Sequence, residues 1–409
     1  MEQVAVVFGA QTLHEEDIQE FKELVAACDM EIVQEFRQVL RQIHGNTWIG
    51  KGKCAEIHTF LQAHALDAVL FFNDLSPLQI RNLEAYWNIN VMDRSDLILE
   101  IFARRAKSKA ARLQIENAQL KRQRSRLIGS KKHLGRQSAS GQNKGLGEKQ
   151  LELDRRRIAS RIVSTTRELK QLEKTRMTQR NARLQSRLPL VSLIGYTNAG
   201  KSTIMNALLQ YSNSSKEKYV YEKDMLFATL DTSLRRIELG HQSFLLSDTV
   251  GFVRDLPHEL IEAFHSTLEE ACYADLLIEV IDTSYADYEQ QMKVTSDTLQ
   301  ALHIGNLPIL HVFNKCDQTD IPYPSMHGEH LFISAKNKEC IEELINQIRL
   351  RLFPPTTMVK LYIPYEKSNL YGRLLTQAQI LQRDDFEDGI HLEVALPNDL
   401  LETYKAYMH

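Results

Sequence analysis

A glycine-rich octapeptide carries the clearest chemistry in the sequence. Residues 195–202 read GYTNAGKS and satisfy the phosphate-loop pattern GxxxxGK[ST], between an apolar run and a helix-like stretch. In such a loop backbone N–H groups face phosphate oxygens, Lys201 would reach the β- and γ-phosphates, and Ser202 would ligate Mg²⁺. Structural glycine-rich turns also match this pattern, so the loop alone does not identify the base. The residues predicted to contact the nucleotide here are Gly195, Tyr196, Thr197, Asn198, Ala199, Gly200, Lys201 and Ser202.

A second segment, Asp248-Thr249-Val250-Gly251, follows the apolar run 244–247. At the end of a strand, Asp248 would aim its carboxylate at the magnesium shell, and the N–H of Gly251 would meet the γ-phosphate. All four residues are predicted to line the nucleotide site.

The third segment, Asn314-Lys315-Cys316-Asp317, follows the apolar run 309–313. The carboxylate of Asp317 can accept from the ring N–H and the exocyclic amine of guanine, whereas adenine offers no such donor pair on that edge. After another apolar run, Ser334-Ala335-Lys336 would support the base from its other side. The order of these motifs, each at a predicted strand end, indicates GTP and GDP as ligands.

A switch threonine is expected between the helix after the phosphate loop and the next strand. We predict that Thr229 binds Mg²⁺ only when a γ-phosphate is present; Thr232 is an alternative, and a plain turn is another. The predicted nucleotide contacts of this segment are Phe227, Ala228, Thr229, Leu230 and Asp231. The predicted metal ligands are Ser202, Thr229 and Asp248, and the predicted catalytic residues are Lys201, Thr229 and Gly251.

Phe252 stands where many small GTPases carry a glutamine that orients the attacking water. A benzyl group cannot hydrogen-bond that water, so intrinsic hydrolysis is predicted to be slow. We hypothesise that Asn198 helps to bind a monovalent cation such as K⁺, with a simple loop-capping amide as the alternative.

The elements that would position these residues alternate short apolar strands with helices over 189–355, which predicts a mostly parallel sheet. Residues 1–103 also read as an α/β domain, with a helix opened by Ser76-Pro77. Residues 356–409 suggest a small α+β domain, with strands at 359–363 and 390–396 and a helix around 370–381.

Residues 104–188 read as two long antiparallel helices. Positions 104–187 carry 25 Lys+Arg against 6 Asp+Glu, a balance of +19 that leaves −22 for the rest of the chain. RNA or DNA is the expected partner of such a segment. The alternative is that the charges do no more than keep the hairpin soluble. The glycine and lysine segment from Gly129 to Gly147 is expected to form the tip.

The composition excludes several other classes of protein. Of the 409 residues, 43% are hydrophobic and 25% charged, which is ordinary for a globular chain and argues against wholesale disorder. No apolar run reaches the roughly 18 residues that cross a bilayer, and the start lacks a signal-peptide pattern, so a cytoplasmic protein is expected. We also expect a monomer. Five singly placed cysteines predict reduced sulfurs, without structural zinc or disulfides.

Beyond the nucleotide motifs, four further stretches resemble the HflX family of translational GTPases, relatives of the Obg-like proteins. Residues 49–53, 74–84 and 93–103 look like that family's N-terminal domain, and 147–157 looks like its helical hairpin. The resemblance covers nearly the whole chain. It implies binding of the large ribosomal subunit and its rRNA, with the hairpin tip near the peptidyl-transferase region. It also implies splitting or rescue of stalled ribosomes under stress such as heat.

The hairpin departs from the family pattern at several positions. Residues 145–150 read GLGEKQ where Gly-Pro-Gly-Glu-Thr-Gln would be expected, and 137–140 replace a glycine cluster. Leu153 stands where threonine is common, and Asn117 where glutamate is common. These differences suggest a divergent paralogue with altered recycling activity or a different trigger.

Motifs and resemblance together predict an α/β fold. A P-loop GTPase domain, with a mostly parallel sheet flanked by helices, occupies residues 189–355. An N-terminal α/β domain (1–103) and a basic helical hairpin with a glycine-rich tip (104–188) precede it, and an α+β domain (356–409) follows. The expected activity is GTP hydrolysis to GDP and phosphate, slow alone and stimulated by ribosomal subunits. The alternative is a GTP-dependent signalling switch that acts on a non-ribosomal protein.

Overall fold

Four parallel strands form the first sheet of the computed structural model. They are β1 (Glu2–Ala10), β2 (Met30–Val39), β3 (Ala68–Phe71) and β4 (Asn90–Met92), in the order β2-β1-β3-β4. The structure describes the chain except residues 138–143, 186–187, 213–232, 240–241, 249–250, 252–270, 272, 286, 302–306, 354 and 409. Residues 4–8 of β1 are fully buried because apolar side chains cover both faces of this parallel sheet.

Helices connect and cover these strands: α1 (Glu15–Ala27), α2 (Lys51–Ala63), α3 (Pro77–Trp87) and α4 (Arg94–Arg105). The predicted start of α3 is confirmed, because Ser76 caps the helix in a capping box with Gln79 and Pro77 occupies the first turn. A second capping box, formed by Asp93 and Asp96, opens α4. The helix α4 extends to Arg105, so the hairpin begins after it.

The hairpin consists of α5 (Lys109–Gln137) and α6 (Lys144–Gln185). The helices continue through 129–137 and 144–147 of the segment that the sequence predicts as the tip, and the rest of that segment, 138–143, lies outside the described residues. Isolated glycines cost a helix only about 1 kcal/mol each relative to alanine, and strong helix formers surround them. The two helices contact each other through Arg161, which donates to Glu116 at 2.6 and 3.0 Å.

Two arginines anchor the base of the hairpin to the N-terminal domain. Arg122 of α5 donates to both carboxylate oxygens of Asp93, at 2.8 and 2.7 Å, and to Asp96 at 3.0 Å. Arg126 also donates to Asp96. Burial raises the pKa of Asp93 to about 7; the neighbouring carboxylate of Asp96 adds to this rise, and Arg122 opposes it. A buried carboxylate therefore holds the hairpin through charge-assisted hydrogen bonds.

The second sheet contains seven of the described strands. These strands are β5 (Leu190–Gly195), β6 (Ser233–Leu239), β7 (Gln242–Asp248), β8 (Leu276–Asp282), β9 (Ile309–Asn314), β10 (Ser325–His327) and β11 (His330–Phe332). Their order is β10-β11-β9-β8-β5-β7-β6, with antiparallel pairing only at the two edges. The described helices around this sheet are α7 (Lys201–Tyr211), α8 (Tyr288–Ala301) and α9 (Lys338–Leu352). The predicted α/β fold with a mostly parallel sheet is confirmed.

The N-terminal domain and the seven-stranded sheet share one hydrophobic cluster. This cluster includes Phe21 of α1 and Phe102 of α4 together with Ile194 of β5 and Leu277 of β8. The opposite face of the seven-stranded sheet packs on α7 and α9 in a cluster of its own. The first domain therefore lies directly against one face of the second sheet.

The last part of the chain contains an antiparallel sheet of three strands. It comprises β12 (Thr356–Pro364), α10 (Ser368–Gln377), β13 (Gln379–Asp385), β14 (Gly389–Pro397) and α11 (Leu401–Tyr404), with strand order β12-β14-β13. The helix predicted around 370–381 is wrong at its end, because Gln379 already pairs with Ala395 of β14. Backbone pairing with a distant strand here overrides the local helical pattern.

Two further expectations concern the side chains and the membrane. Cys28, Cys54, Cys316 and Cys340 are free and buried, as expected for reduced core thiols. Among the described helices, none is long and apolar enough to cross a membrane.

Candidate nucleotide-binding site

The phosphate loop lies between β5 and α7, and its glycines are required by geometry. Gly195 has φ +132°, and a Cβ atom there would lie 2.2 Å from the carbonyl oxygen of Val280. Gly200 has φ +97°, and a Cβ there would lie 2.2 Å from Nδ2 of Asn314. Both positions combine a left-handed conformation with close neighbours, so any side chain would force the loop to move. The N-terminus of α7 follows directly, where backbone N–H groups favour an anion.

Lys201, at the start of α7, is buried beneath this loop. Its Nζ donates to the carbonyl oxygens of Gly195 at 3.0 Å and Tyr196 at 2.7 Å. Burial lowers the pKa of Lys201 to about 8, and the carboxylate of Asp248 acts in the opposite direction. The ammonium of Lys201 thus lies inside the curve of the phosphate loop, where the phosphate oxygens of a bound nucleotide would contact it.

Ser202 and Asp248 bring a hydroxyl and a carboxylate together beside the loop. Ser202 Oγ donates to Asp248 Oδ2 at 3.0 Å, and Asp248 is fully buried at the end of β7. Oxygen ligands of this kind suit Mg²⁺, which binds proteins through one or two such groups and keeps several waters. This pair of oxygens therefore fits a magnesium ion.

Gly251 lies against the phosphate loop. A Cβ on this residue would come within 2.7 Å of Thr197 Cγ2 and 2.9 Å of Lys201 Nζ. Only a glycine lets the backbone approach the lysine this closely. Its N–H is therefore near the place where a terminal phosphate would lie.

Asn314 connects the phosphate loop to the segment predicted to support the base. Its Nδ2 donates to the carbonyl oxygen of Ala199 at 2.9 Å, and its Oδ1 accepts from the N–H of Ala335, also at 2.9 Å. The side chain of Asn314 is buried, and so is Ser334, which precedes Ala335 in the sequence. One amide thus joins three motifs that are far apart in the sequence.

The remaining residues of the guanine motif lie next to this amide. Lys315 has φ +65° and its Nζ pairs with Asp282 Oδ2 at 2.7 Å. Cys316 is buried and begins the 3₁₀ helix Cys316–Gln318. Asp317 is partly exposed, with Lys336 Nζ at 3.8 Å, so its carboxylate remains accessible to a base.

The structure brings the phosphate loop, Asp248, Gly251, the 314–317 segment and the 334–336 segment to one edge of the sheet. This edge is formed by the carboxyl ends of β5, β7, β9 and β11, where open α/β sheets bind ligands. The predicted residues that lie outside the described part of the chain are Phe227, Ala228, Thr229, Leu230, Asp231, Thr232, Thr249, Val250 and Phe252.

Three neighbours of the site were not predicted from the sequence. Asp282 and Thr283 follow β8, and Thr283 Oγ1 donates to the carbonyl oxygen of Asn314 at 2.8 Å. The signal was available, since Asp282 follows residues 276–281, which are apolar except for Glu279, much as Asp248 follows 244–247. Glu20 of α1, which contacts Tyr196 of the loop, carried no local signal.

A parallel sheet with these motifs at its carboxyl edge defines the class of P-loop GTPases. Three family models match consecutive parts of the chain: "GTP-binding GTPase N-terminal" over residues 15–103, "GTP-binding GTPase Middle Region" over 105–183, and "50S ribosome-binding GTPase" over 190–315. The chain belongs to the HflX family of GTPases.

Two curated relatives illustrate the extent of this similarity. The GTPase HflX of Caldanaerobacter subterraneus is 39% identical over 395 residues, covering 96% of this chain and 90% of the relative. The GTPase HflX of Escherichia coli is 36% identical over 400 residues, covering 96% and 92%. These relatives, together with the GTPase domain, establish that the protein binds and hydrolyses GTP.

Among solved structures, the fold resembles a complex described as SsGBP with GDP. That structure has a TM-score of 0.50 and 22% sequence identity, and the match covers 86% of this chain and 100% of the other. At this identity the likeness concerns the fold alone.

Proposed function

We propose that this GTPase binds the large ribosomal subunit through its basic hairpin and uses GTP to split or rescue stalled ribosomes under stress such as heat. The observation that carries the proposal is structural. A guanine-nucleotide site and the base of a hairpin with a +19 balance both adjoin the N-terminal domain. The family description "50S ribosome-binding GTPase" for residues 190–315 supports this target. The proposed place of action is the cytoplasm.

In this proposal the chain divides into four units, 1–103, 104–188, 189–355 and 356–409. Lys201 neutralises the β- and γ-phosphates, Gly251 donates its N–H to the γ-phosphate, and Asp317 selects guanine. The residues proposed to line the rest of the site are Gly195 to Gly200, Phe227 to Asp231, Thr249, Val250, Asn314, Lys315, Cys316 and Ser334 to Lys336.

Ser202 and Asp248 are the proposed magnesium ligands, with Thr229 joining them when GTP is bound. Mg²⁺ would supply charge neutralisation at the β- and γ-phosphate oxygens. The 3.0 Å hydrogen bond between Ser202 and Asp248 supports this assignment, because it places both oxygens side by side next to the loop. Thr229 and Gly251 would then hold two switch segments that relax after hydrolysis.

Slow intrinsic hydrolysis and stimulation by ribosomal subunits are also proposed. Phe252 cannot orient the attacking water, so another group must do so. Asn198 is exposed and has φ +62°, which presents it at the rim of the loop, where a bound K⁺ could assist. Equal hydrolysis rates in potassium and sodium buffers would remove the cation from this proposal.

The outer residues of the hairpin are suited to phosphate contacts. The side chains of Arg156 and Arg157 are 75% and 77% exposed, whereas Arg122 at the base is only 17% exposed and holds Asp93. The hairpin thus uses some arginines for docking to its own domain and presents others to solvent. Exposed arginines can displace the counterions of rRNA phosphates.

Sedimentation with purified large subunits tests the proposal. We expect co-sedimentation with a non-hydrolysable GTP analogue and a GTPase rate that rises when subunits are added. Replacing Arg155, Arg156 and Arg157 together by glutamate should abolish both effects, whereas Lys360→Glu in the C-terminal sheet provides a control for charge alone. Absence of co-sedimentation in every nucleotide state would contradict the proposal.

The second candidate function is a signalling switch that acts on a non-ribosomal protein. The residues outside the hairpin carry a net charge of −22, which would attract a basic protein partner. A nucleotide-dependent complex that survives nuclease treatment and charge reversal of the hairpin would favour this alternative.

A further inference from the structure

Tyr196, the second residue of the phosphate loop, makes a contact that does not face the nucleotide. Its hydroxyl donates to Oε2 of Glu20 at 2.7 Å, and the whole side chain is only 6% exposed. Glu20 lies on α1 of the N-terminal domain, 176 positions earlier in the chain. The loop that would hold phosphates is therefore tied by a side chain to a different domain.

The other oxygen of Glu20 is also bound. Oε1 accepts from Nη2 of Arg94 at 2.5 Å, and both side chains are nearly inaccessible to solvent. The guanidinium of Arg94 additionally lies 5.5 Å from the ring centre of Phe72. Buried charges are costly unless they are paired and hydrogen-bonded, and Glu20 has a partner on each oxygen. This arrangement gives the carboxylate one defined position.

Apolar packing holds the three residues in place. Tyr196 belongs to the same buried cluster as Phe21 and Leu24, which flank Glu20 on α1. Hydrogen bonds in such surroundings have good geometry and little competition from water. The position of the tyrosine hydroxyl is thus fixed by the N-terminal domain.

The backbone of Tyr196 extends this connection into the nucleotide site. Its carbonyl oxygen accepts from Nζ of Lys201 at 2.7 Å. A displacement of the tyrosine ring would therefore move a group that contacts the phosphate-binding lysine. Arg94, Glu20, Tyr196 and Lys201 are thus linked by consecutive contacts from α4 to the phosphate loop, with the ring of Tyr196 between its two hydrogen bonds.

We infer that Glu20 is a positioning residue for GTP and GDP binding, which acts by holding the hydroxyl of Tyr196 and thereby the phosphate loop. The inference rests on the nucleotide site proposed above. Because binding linkage is reciprocal, a nucleotide in the loop must in turn stabilise the docking of α1. The N-terminal domain is then part of the nucleotide site although it does not touch the ligand.

Two conservative variants test this assignment. Tyr196→Phe removes only the hydroxyl, and Glu20→Gln keeps the shape of the side chain but not its charge. Hydrogen bonds to charged groups suggest that each will weaken GDP and GTP binding by roughly 10-fold. The double variant should bind no more weakly than the weaker single variant, because both act on the same contact: Tyr196→Phe removes it and Glu20→Gln takes away its charge. Fluorescence titration with a labelled GDP measures these affinities.

Matched controls separate this effect from general damage. Tyr211→Phe, at the exposed end of α7, and Glu16→Gln, exposed on α1, should bind GDP like the original chain. Thermal unfolding of each variant without nucleotide checks that it is folded. In steady-state kinetics KM should rise with little change in kcat, since the contact serves binding in ground state and transition state alike.

Hydrogen exchange gives a measurement that a purely structural role would not change. Adding GDP to the original chain should slow exchange at the amides of Ile18 to Leu24, and this protection should be lost in Tyr196→Phe. Unchanged affinities, or strictly additive effects in the double variant, would overturn the inference. If the original chain itself bound no GDP, the proposed nucleotide site would fail first, so the two failures are distinguishable.

Discussion

The buried ammonium of Lys201 makes nucleotide binding depend on pH. Without nucleotide its pKa is lowered to about 8 by burial, and a bound phosphate would restore it towards its usual range. Binding therefore takes up a proton above about pH 8, and affinity is full below this pH and falls as pH rises through it. We expect the GDP dissociation constant to be about fourfold higher at about pH 8.5 than at about pH 7.

Titration with labelled GDP across this range measures the effect. Lys201→Arg provides the comparison, because a guanidinium stays charged throughout and its profile should be flat. A flat profile in the original chain would show that Lys201 does not lose its proton in the free protein.

Guanine selectivity is expected to depend on Asp317. Replacing Asp317 by asparagine removes the charge that accepts from two base donors, and we expect GTP affinity to fall by roughly 10- to 100-fold while discrimination against other purine triphosphates decreases. Competition binding with GTP and ATP measures both quantities. Lys336→Ala is a suitable control, since its ammonium is 3.8 Å from Asp317 and largely exposed. Unaltered preference for GTP in Asp317→Asn would contradict the assignment.

At the scale of secondary-structure elements, Arg122 is the arginine that binds the buried carboxylate of Asp93 at the base of the hairpin. Arg122→Ala would leave the buried carboxylate of Asp93 without its bidentate partner, and loss of one member of a buried pair typically costs about 3–5 kcal/mol. We expect lower stability in chemical unfolding, and faster hydrogen exchange at the base of α5. Arg124→Ala, which is exposed on the same helix, should change neither.

The loss of folding stability in Arg122→Ala should also depend on pH. The pKa of Asp93 is already raised to about 7, and removing the arginine raises it further. The stability that comes from protonating this carboxyl is fully present below about pH 4 and is lost as pH rises through the folded pKa. Unfolding at about pH 5.5 should therefore show a smaller deficit than at about pH 8. An equal deficit at both pH values would contradict this account.

The elements that the sequence predicted best are those with strong local signals. Ser76, Pro77 and Gln79 define a helix start by their own chemistry, and the apolar runs before Asp248 and Asn314 define strands that end at the site. The sequence missed β13, whose existence depends on pairing with β14, and it did not show that both hairpin helices extend into the glycine and lysine segment 129–147. Local patterns fail where distant backbone pairing or helix continuity decides the conformation.

At the scale of the whole molecule, charge is strongly segregated along the chain. The +19 segment should make ribosome binding sensitive to salt, with a slope of about −0.7 to −0.9 in log affinity against log salt for each phosphate contacted. Co-sedimentation at increasing KCl measures this slope, and Arg157→Ala should reduce it by about one contact. Affinity that is independent of salt would indicate that the hairpin does not meet phosphates.

The contacts between the domains were the hardest feature to predict from the sequence. The residues gathered at the carboxyl edge of the sheet could be predicted from their order and strand-end positions. The contact of Glu20 with Tyr196 could not, because it joins surfaces 176 positions apart and neither residue belongs to a periodic pattern that reveals its partner. Tertiary packing alone brings that pair together.

The side chain of Asn314 sets a fixed span within the nucleotide site. One of its ends holds the carbonyl oxygen of Ala199 and the other holds the N–H of Ala335. A single carboxamide thus holds the phosphate loop and the 334–336 segment at a constant separation. The two segments that contact the nucleotide are therefore already correctly spaced before it binds. Little ordering of the protein on this side would accompany binding of a guanine nucleotide.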